Sequence, residues 1–317
     1  MPRPRDTVSG MAATSSTGPV AALDIGGTKL DAGVVDPDGR ILARRRAPTV
    51  GDSAGDGADD LLATAVDLVR GAIADSGASP VALGVGCGGP MTRGGDTVSP
   101  LNIAQWHGFP LRDRLAGRLG LPVHVDNDAK ALALGEGRWG AAVGERDYIA
   151  MVVSTGVGGG IVLDGRLLDG ADGNAGHIGH VVVDPLGREC VCGARGCLEA
   201  QVSGTALAAI TGAPASEAPP EVRLWAGRLV GRAVASVCNL LDLRLAVVAG
   251  SVALGFGEPF FAEAQGELDR LARLGFSRGA RIVPAGCGAD GPLLGAAAVG
   301  LSGEGLPGVG LPGGESR

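Results

Sequence analysis

Short apolar runs separated by glycine-rich turns occur along the chain in two similar rounds. The first round opens with the apolar run Val20–Ile25, passes through a glycine turn into Leu30–Val35, and reaches a third segment at Arg40–Arg46. Short runs of this kind, bounded by glycine and aspartate, predict β-strands rather than helices. The chain is therefore predicted to begin with a meander of three strands.

Helical spacing follows the meander. The stretch Val50–Asp60 is rich in glycine and aspartate and predicts a loop, and apolar residues then recur at helical spacing from Leu61 to Ile73. Strands and helices alternate from there on, which predicts an α/β protein. The further predicted strands are Val81–Gly86, Pro122–Val125 and Arg244–Ala249, and the further predicted helices are Leu111–Leu119, Ala129–Trp139, Glu221–Asp242, Pro259–Leu274 and Gly291–Leu301.

The second round begins at the apolar strand Tyr148–Ser154, which opens onto a glycine run and a second strand at Gly160–Leu163. The repeated order of strand, glycine loop and strand indicates a weak internal duplication. A chain of 317 residues is long enough for two lobes. We predict a disordered leader over 1–19, an N-terminal α/β lobe over 20–125 completed by a C-terminal helix near 291–301, a larger α/β lobe over 126–290, and a disordered tail over 302–317.

Composition narrows the class of protein. The chain has 57 glycines without a Gly-X-Y period, which excludes collagen, and its 45% of hydrophobic residues exclude wholesale disorder. The formal charge of −7 argues against a nucleic-acid-binding surface. No apolar run approaches the roughly 20 residues of a membrane span, and residues 1–19 lack the apolar core of a secretory signal. We expect a cytoplasmic protein without nucleic-acid or membrane partners.

A glycine loop follows the first strand of each round, at Asp24–Lys29 and at Ser154–Gly160. Gly26 and Gly27 are expected to use positive φ and to let backbone N–H groups approach an anion. Each loop alone is equally compatible with a plain turn, and neither is a Walker or dinucleotide motif. One loop in each half indicates a nucleotide phosphate chain held between the lobes, with Asp24 able to hold Mg²⁺ through water. Close approach to phosphate is also expected of Gly156, Gly158 and Gly159.

A carboxylate pair stands at the start of a predicted helix. The sequence Asp126-Asn127-Asp128 lies between the strand Pro122–Val125 and the helix that follows. A carboxylate at a strand end that faces a cleft is well placed as a general base, and Asp128 is the candidate. The alternative is that Asn127 or Asp128 only caps the helix, because both residue types are favoured there.

One imidazole and three thiols lie close together in the sequence, at His180, Cys190, Cys192 and Cys197. A His/Cys₃ set suits a closed, tetrahedral, structural zinc site. The alternative is a group of buried free cysteines, but three within eight residues amid glycines favour zinc. The clustering also indicates a reducing compartment.

Polar side chains accompany this zinc segment, which covers 177–199. They are His177, His180 and Glu199. A sugar needs several directed hydrogen bonds, and a metal-bound histidine usually donates its second N–H. Polar groups beside a rigid zinc site would therefore suit a sugar, although Glu199 has the alternative of a solvated helix residue.

With these motifs, the chain resembles the ROK family of repressors and sugar kinases from Val20 to Leu301. The most specific part is Gly179-His180 followed by the run from Cys190 to Glu199, which looks like the zinc signature of the family. The two glycine loops resemble its ATP-phosphate loops. Leu101-Asn102 with Trp106 resembles its sugar-facing segment. The resemblance implies an actin-like ATPase (ribonuclease H-like) fold, with two α/β lobes and a cleft between them.

The resemblance also implies an ATP-dependent hexose kinase that transfers the γ-phosphate of MgATP to the 6-hydroxyl of a hexose. Asp128 would accept the proton of that hydroxyl. The implied sugar-binding residues are Asn102, Asn127, Asp128, His177, His180 and Glu199, the implied ATP-binding residues are Asp24, Gly26, Gly27, Thr28, Lys29, Thr155, Gly156 and Gly250, and the implied zinc ligands are His180, Cys190, Cys192 and Cys197. A homodimer is implied by the resemblance alone.

The identity of the sugar depends on one departure. His177 stands where glucokinases of the family generally have glutamate, and His177-Ile178-Gly179-His180 looks more like some bacterial N-acetylmannosamine kinases. Glucose is the first expected substrate and N-acetylmannosamine the alternative. A non-catalytic, sugar-responsive regulator is a further alternative, but no helix-turn-helix pattern precedes the first glycine loop.

Overall fold

The computed structural model describes residues 18–49 and 57–301. Its strands are β1 (Val20–Ile25), β2 (Lys29–Val35), β3 (Ile41–Pro48), β4 (Leu83–Cys87), β5 (Val123–Asn127), β6 (Tyr148–Val153), β7 (Val157–Leu163), β8 (Arg166–Leu167), β9 (Leu245–Ala249) and β10 (Arg281–Pro284). Its α-helices are α1 (Gly57–Ser76), α2 (Leu111–Leu119), α3 (Asp128–Trp139), α4 (Leu198–Val202), α5 (Gly204–Thr211), α6 (Pro220–Leu241), α7 (Ser251–Phe256), α8 (Glu258–Leu271) and α9 (Gly291–Gly300). Most of the predicted leader, the predicted tail and the first part of the predicted loop after Thr49 lie outside the described residues.

The first five strands form one mixed sheet in the order β3-β2-β1-β4-β5. β1 pairs antiparallel with β2 and parallel with β4, and β5 is parallel to β4. Every residue of β1 is buried, as expected for a mainly apolar strand with a partner on each side, and Asp24 is its one charged residue. β3 lies at the edge and carries consecutive arginines, a charge pattern that discourages pairing with another chain.

The second sheet repeats the first. It has the order β10-β9-β6-β7-β8, with β6 antiparallel to β7 and parallel to β9. A long helix precedes the inner parallel strand of each sheet, α1 in the first half and α6 in the second. The last strand of each sheet leads into the final helix of its half, α3 or α9. The predicted internal duplication is confirmed, and it extends over the whole of both sheets.

The two final helices, α3 and α9, contact each other at glycines. A Cβ atom on Gly135 would lie 2.9 Å from the backbone nitrogen of Gly295, and one on Gly295 would lie 2.7 Å from the carbonyl carbon of Ala131. On the other side, α9 lies directly on β1 and β4 of the first sheet, where Gly84 again leaves no room for a side chain. The two halves therefore pack through close backbone contacts of α9 with α3 and with the first sheet.

Several elements differ from their predicted bounds. α1 begins at Gly57, so the last four residues of the predicted loop are helical. The strand predicted from Gly160 already begins at Val157, which places the glycine run inside β7. β10 and α5 were not predicted from the sequence. β10 is an edge strand of only four residues, flanked by alanine and glycine, and α5 is a helix of eight residues. Among the described helices, none is both long and apolar enough to traverse a bilayer.

Candidate active site

The first glycine loop, between β1 and β2, is held by a threonine from the end of β3. The Thr49 N–H donates to the Thr28 carbonyl (3.0 Å), and its hydroxyl donates to the Gly26 carbonyl (2.7 Å). A Cβ atom on Gly27 would lie 2.6 Å from the Asn102 Cβ, which brings two predicted site residues together. Neither glycine has positive φ. The prediction of positive φ at Gly26 and Gly27 is therefore wrong. Glycine is required at position 27 because Asn102 approaches it too closely for a side chain.

The second glycine loop, between β6 and β7, is anchored by the start of α5. The Gly204 N–H donates to the Ser154 carbonyl (2.7 Å), and the Thr205 hydroxyl donates to the Thr155 carbonyl (3.0 Å). Neither Thr205 nor Thr49 belongs to a motif that can be recognised in the sequence. Both are remote from the loops that they hold, so no local pattern signals them.

Glu199 also binds the second loop. Its Oε2 accepts the Val157 N–H (2.8 Å) and lies 3.0 Å from where a Cβ atom on Gly156 would be. Glu199 is therefore neither a freely solvated helix residue nor remote from the loop. Gly250 lies on the other side of the same loop, with φ of 101° and its backbone packed against Val153.

The glycines of β7 let α3 lie flat on that strand. A Cβ atom on Gly158 would lie 2.8 Å from the Ala129 Cβ, and one on Gly160 would lie 2.8 Å from the Lys130 Cα. Close packing of helix on strand thus explains this part of the glycine run. Gly159 faces the other way, and a Cβ atom there would lie 3.0 Å from the Gly176 carbonyl oxygen. Gly158 and Gly159 were both expected to approach a phosphate, and both are instead explained by packing.

Asn127 is the N-cap of α3. Its Oδ1 accepts the N–H groups of Ala129 (3.0 Å) and Lys130 (3.4 Å), so the capping interpretation is confirmed for this residue. The cap occupies only the amide oxygen, and Nδ2 faces Gly89. Asp128 is the first residue of the helix, and its Oδ1 accepts the Ala129 N–H (2.8 Å).

Two carboxyl groups meet beside Gly86 of β4. A Cβ atom on Gly86 would lie 3.7 Å from Asp24 Oδ1 and 3.7 Å from the Asp128 Cα. Burial, with Asp128 and Asp31 nearby, raises the pKa of Asp24 to about 7. Burial also raises the pKa of Asp128, although the residue keeps exposed surface, and the Ala129 N–H opposes the rise. A carboxylate with a raised pKa accepts a proton more readily near neutral pH, as a general base must.

The raised pKa of Asp24 leads us to predict that the free energy of unfolding depends on pH. Because its pKa is raised from 3.8 to about 7, the folded protein binds a proton that the unfolded chain releases, so the free energy of unfolding falls as the pH rises through this range. The contribution is at most about 4 kcal/mol, at about 1.4 kcal/mol per pKa unit. Urea unfolding of Asp24→Asn between pH 4 and 8 should show a flatter profile and higher stability than wild type at pH 8.

Asp31 is the matched control for this experiment. Burial alone would raise its pKa, but hydrogen bonds from Arg44 (2.8 Å) and Arg46 (2.9 Å) outweigh burial and lower it. Asp31→Asn should therefore lose stability above pH 4, and the loss should shrink in more acidic solution. Parallel profiles for wild type and Asp24→Asn would show that Asp24 is ionised throughout.

His177 connects this carboxyl pair to the cysteine cluster. The imidazole acts on the pKa of Asp128 and lowers it, against the effect of burial. Its ring centroid lies 6.0 Å from that of His180. The structure thus brings Asp24, Asp128, His177 and His180 into one continuous region.

The four predicted zinc ligands converge. Their nitrogen and sulfur atoms all lie within 4.8 Å of one another, with His180 Nδ1 3.7 Å from Cys190 Sγ and the sulfurs of Cys192 and Cys197 also 3.7 Å apart. Ligands about 2.3 Å from a tetrahedral zinc ion lie about 3.8 Å apart, so the cluster fits the ion. A hydrogen bond from the Ala194 N–H is the main interaction that lowers the pKa of Cys192, and a hydrogen bond with the Cys190 side chain lowers it further. The lower pKa favours the thiolate, which is the form that zinc binds.

The model of the ROK family matches residues 20–302, and the chain belongs to the ROK family. It is 40% identical over 187 residues to the glucokinase of Thermotoga maritima, covering 58% of this chain and 57% of that protein. It is 37% identical over 258 residues to the N-acetylmannosamine kinase of Citrobacter koseri, covering 74% of this chain and 84% of that protein. The chain thus spans little more than half the length of the first of these relatives.

A solved structure has the same architecture. The ROK family glucokinase from Streptomyces griseus, in complex with glucose and AMPPNP, superposes with a TM-score of 0.75 at 32% identity, covering 89% of this chain and 99% of that one. The duplicated pair of mixed sheets is the two-lobe, actin-like ATPase fold that the resemblance implied.

Proposed function

We propose that the protein is an ATP-dependent hexose kinase that phosphorylates the 6-hydroxyl of its sugar. The observation that carries the proposal is the position of Asp128: a carboxylate of raised pKa, at the start of α3, between Asp24 and His177. Sugar kinases need a base at the acceptor hydroxyl and a cradle for the phosphates. The two glycine loops are candidates for the phosphate cradle. The Streptomyces griseus relative, which binds glucose and AMPPNP, supports a site for a sugar and a nucleotide.

In the proposed reaction, Asp128 accepts the proton of the sugar 6-hydroxyl while the sugar oxygen bonds to the γ-phosphorus. The bond from that phosphorus to the oxygen of the leaving ADP breaks. Backbone N–H groups of the loops around Thr28 and Thr155 would hold the phosphates, with Gly250 on the adenosine side. Mg²⁺, bound with ATP near Asp24, would supply positive charge against the transferring phosphoryl group. The sugar hydroxyls would be held by Asn102, Asn127, His177, His180 and Glu199.

The test is an assay of the purified protein with MgATP and a panel of hexoses, with detection of both ADP and sugar 6-phosphate. Formation of a sugar 6-phosphate supports the proposal. If no hexose yields one, the enzyme proposal fails. Sugar binding by calorimetry without turnover would instead support the sugar-responsive regulator. Association into a homodimer stays a prediction.

Two sugars are candidate acceptors. Glucose is the first, supported by the glucokinase relatives at 40% identity. N-acetylmannosamine is the second, and His177 favours it, because an imidazole N–H can donate to an acetamido oxygen whereas a carboxylate only accepts hydrogen bonds from hydroxyls. The longer alignment with the Citrobacter koseri kinase supports the same alternative.

Replacing His177 with glutamate is expected to shift the preference towards glucose. The ratio of kcat/KM for glucose to that for N-acetylmannosamine should rise about tenfold or more, as is usual when a polar contact to a substrate is mismatched. Arg273→Glu, which introduces a glutamate at an exposed residue after α8 and outside the site, should leave the ratio as in wild type. An unchanged ratio in His177→Glu would exclude position 177 from sugar discrimination.

A further inference from the structure

Lys130 is a buried lysine in the first turn of α3. Only 3% of its surface is exposed, and its ammonium group has three partners. Nζ lies 2.9 Å from Asp126 Oδ1 and 2.9 Å from Asp169 Oδ1, and it donates to the Gly173 carbonyl at 3.2 Å. We name this cluster of Lys130, Asp126, Asp169 and Gly173 the lysine clasp.

A lysine is unfavourable at this position unless the contacts of its ammonium group compensate for two costs. The N-terminal end of a helix carries partial positive charge, which repels a cation in the first turn. Burial of an ammonium group is also costly unless it is fully paired. The neighbouring positions of α3 are mostly alanine and leucine, which pack there without that cost. The clasp therefore needs an explanation beyond the stability of the helix.

The clasp joins the two segments that supply the proposed base and the proposed specificity residue. Asp126 Oδ1 accepts the Asn127 N–H (2.8 Å), directly before Asp128. Asp169 and Gly173 belong to the segment after β8 that runs into His177. Lys130 thus links the end of β5 in the first sheet to the segment that follows β8 in the second.

The two ends of the clasp are supported unequally. α3 is fixed by its glycine contacts with β7 and α9. The segment 169–175 consists mainly of small or exposed residues, and a cavity of about 840 Å³ lies beside it, lined by Asp126, Lys130, Asp169 and Gly173 among others. Its other close contacts are made by backbone: Gly173 lies against Arg93, and Gly176, directly before His177, is packed on Gly159 of β7. The ion pairs and the hydrogen bond from Lys130 are direct links across the gap.

We propose that Lys130 is a positioning residue that holds the segment leading to His177 at a fixed distance from Asp128. The proposal rests on the proposed hexose kinase function. Because α3 stays fixed when the clasp is lost, the segment 169–175 moves and Asp128 does not. Loss of Lys130 therefore weakens sugar binding more than the chemical step.

The test compares Lys130→Met, Lys130→Arg and wild type. Lys130→Met keeps the length of the side chain and removes its charge. We expect the KM for the hexose to rise about fivefold or more, the KM for ATP to change less than about twofold, and kcat to fall by a smaller factor than the KM rises. Lys130→Arg should restore a large part of the sugar affinity. Equal effects on both substrates would overturn the proposal.

Arg270→Met is the matched control for general destabilisation. Arg270 donates two hydrogen bonds to the buried Glu267 (2.9 Å each), within α8 and outside the site. Its loss should leave both KM values within about twofold of wild type. A rise in sugar KM equal to that of Lys130→Met would show that any lost ion pair has this effect, and the proposal would fail.

A second variant tests the route through Asp169. Asp169→Asn should raise the sugar KM like Lys130→Met, and the double variant should add little to either change, because both break the same link. Additive effects would contradict the proposed connection.

Amide hydrogen exchange tests the role of Lys130 without an activity assay. Lys130→Met should speed amide exchange in peptides covering 168–180 and leave those of β9 unchanged. Unchanged exchange in 168–180 would overturn the proposal even with an active enzyme. If wild type phosphorylates no hexose, the proposed function fails, while the exchange result still decides whether Lys130 holds this segment.

Discussion

Asp128→Asn is expected to lower kcat for hexose phosphorylation on the order of 10²–10⁴-fold, the usual contribution of a positioned general base. Asparagine has the same shape and keeps a side-chain oxygen to accept the Ala129 N–H, so α3 should start at the same residue. The amide cannot take a proton from the sugar hydroxyl. Sugar affinity by calorimetry should therefore stay close to that of wild type while turnover is lost.

The wild-type pH profile gives an independent check of the same residue. Because the pKa of Asp128 is raised, its carboxylate is protonated as the pH falls through a value above the ordinary 3.8, and kcat should fall with it. Asp113→Asn, an exposed aspartate in the first turn of α2, is the matched control and should turn over like wild type. Near-normal turnover in Asp128→Asn would refute its role as the base.

Cys192→Ser is expected to lower the zinc content from about one ion per chain to well below half, and to lower the thermal stability of the second lobe. Cys192 is exposed, so the change from sulfur to oxygen removes almost no packing. Any destabilisation must then come from the weaker metal site, and structural zinc sites contribute much of the folding free energy of the segments that they hold. Elemental analysis and thermal unfolding measure the two effects.

Cys238→Ser is the matched control for zinc. Cys238 is buried in α6 outside the cluster, so its substitution should reduce stability through packing and leave the metal content unchanged. Addition of a chelator should destabilise wild type and Cys238→Ser but change Cys192→Ser much less. Metal content equal to that of wild type in Cys192→Ser would remove this residue from the ligand set.

The residues that could be predicted from the sequence are those whose role is set by near neighbours. Val20–Ile25 is a strand because five of its six residues are apolar and suit burial on both faces, and the cysteine spacing brings three thiols together over a few residues. Asn127 is favoured as a cap by its residue type, and it does cap α3. Local chemistry was sufficient in each case.

Contacts between distant parts of the chain could not be predicted in this way. The glycines of β7 look like an anion loop until α3 is seen lying on them. Thr49 and Lys130 have no unusual neighbours in the sequence. The partners of Thr49 lie 21 or more residues away, and two of the three partners of Lys130 lie 39 or more residues away. Their roles depend on the order of the strands in the two sheets, which one sequence does not reveal.

The two halves of the duplicated fold differ in the length of one connection. In the first half a short connection leads from β3 to its long helix, whereas in the second half some fifty residues, including α4, α5 and the cysteine cluster, separate β8 from α6. His177, His180 and Glu199 all lie in that longer connection, which has no counterpart in the first half. The two sheets thus provide a symmetric support, and the long connection after β8 is where the halves differ most. Under the proposed function, a substitution at His177 can change the choice of sugar without disturbing the repeated sheets on which folding depends.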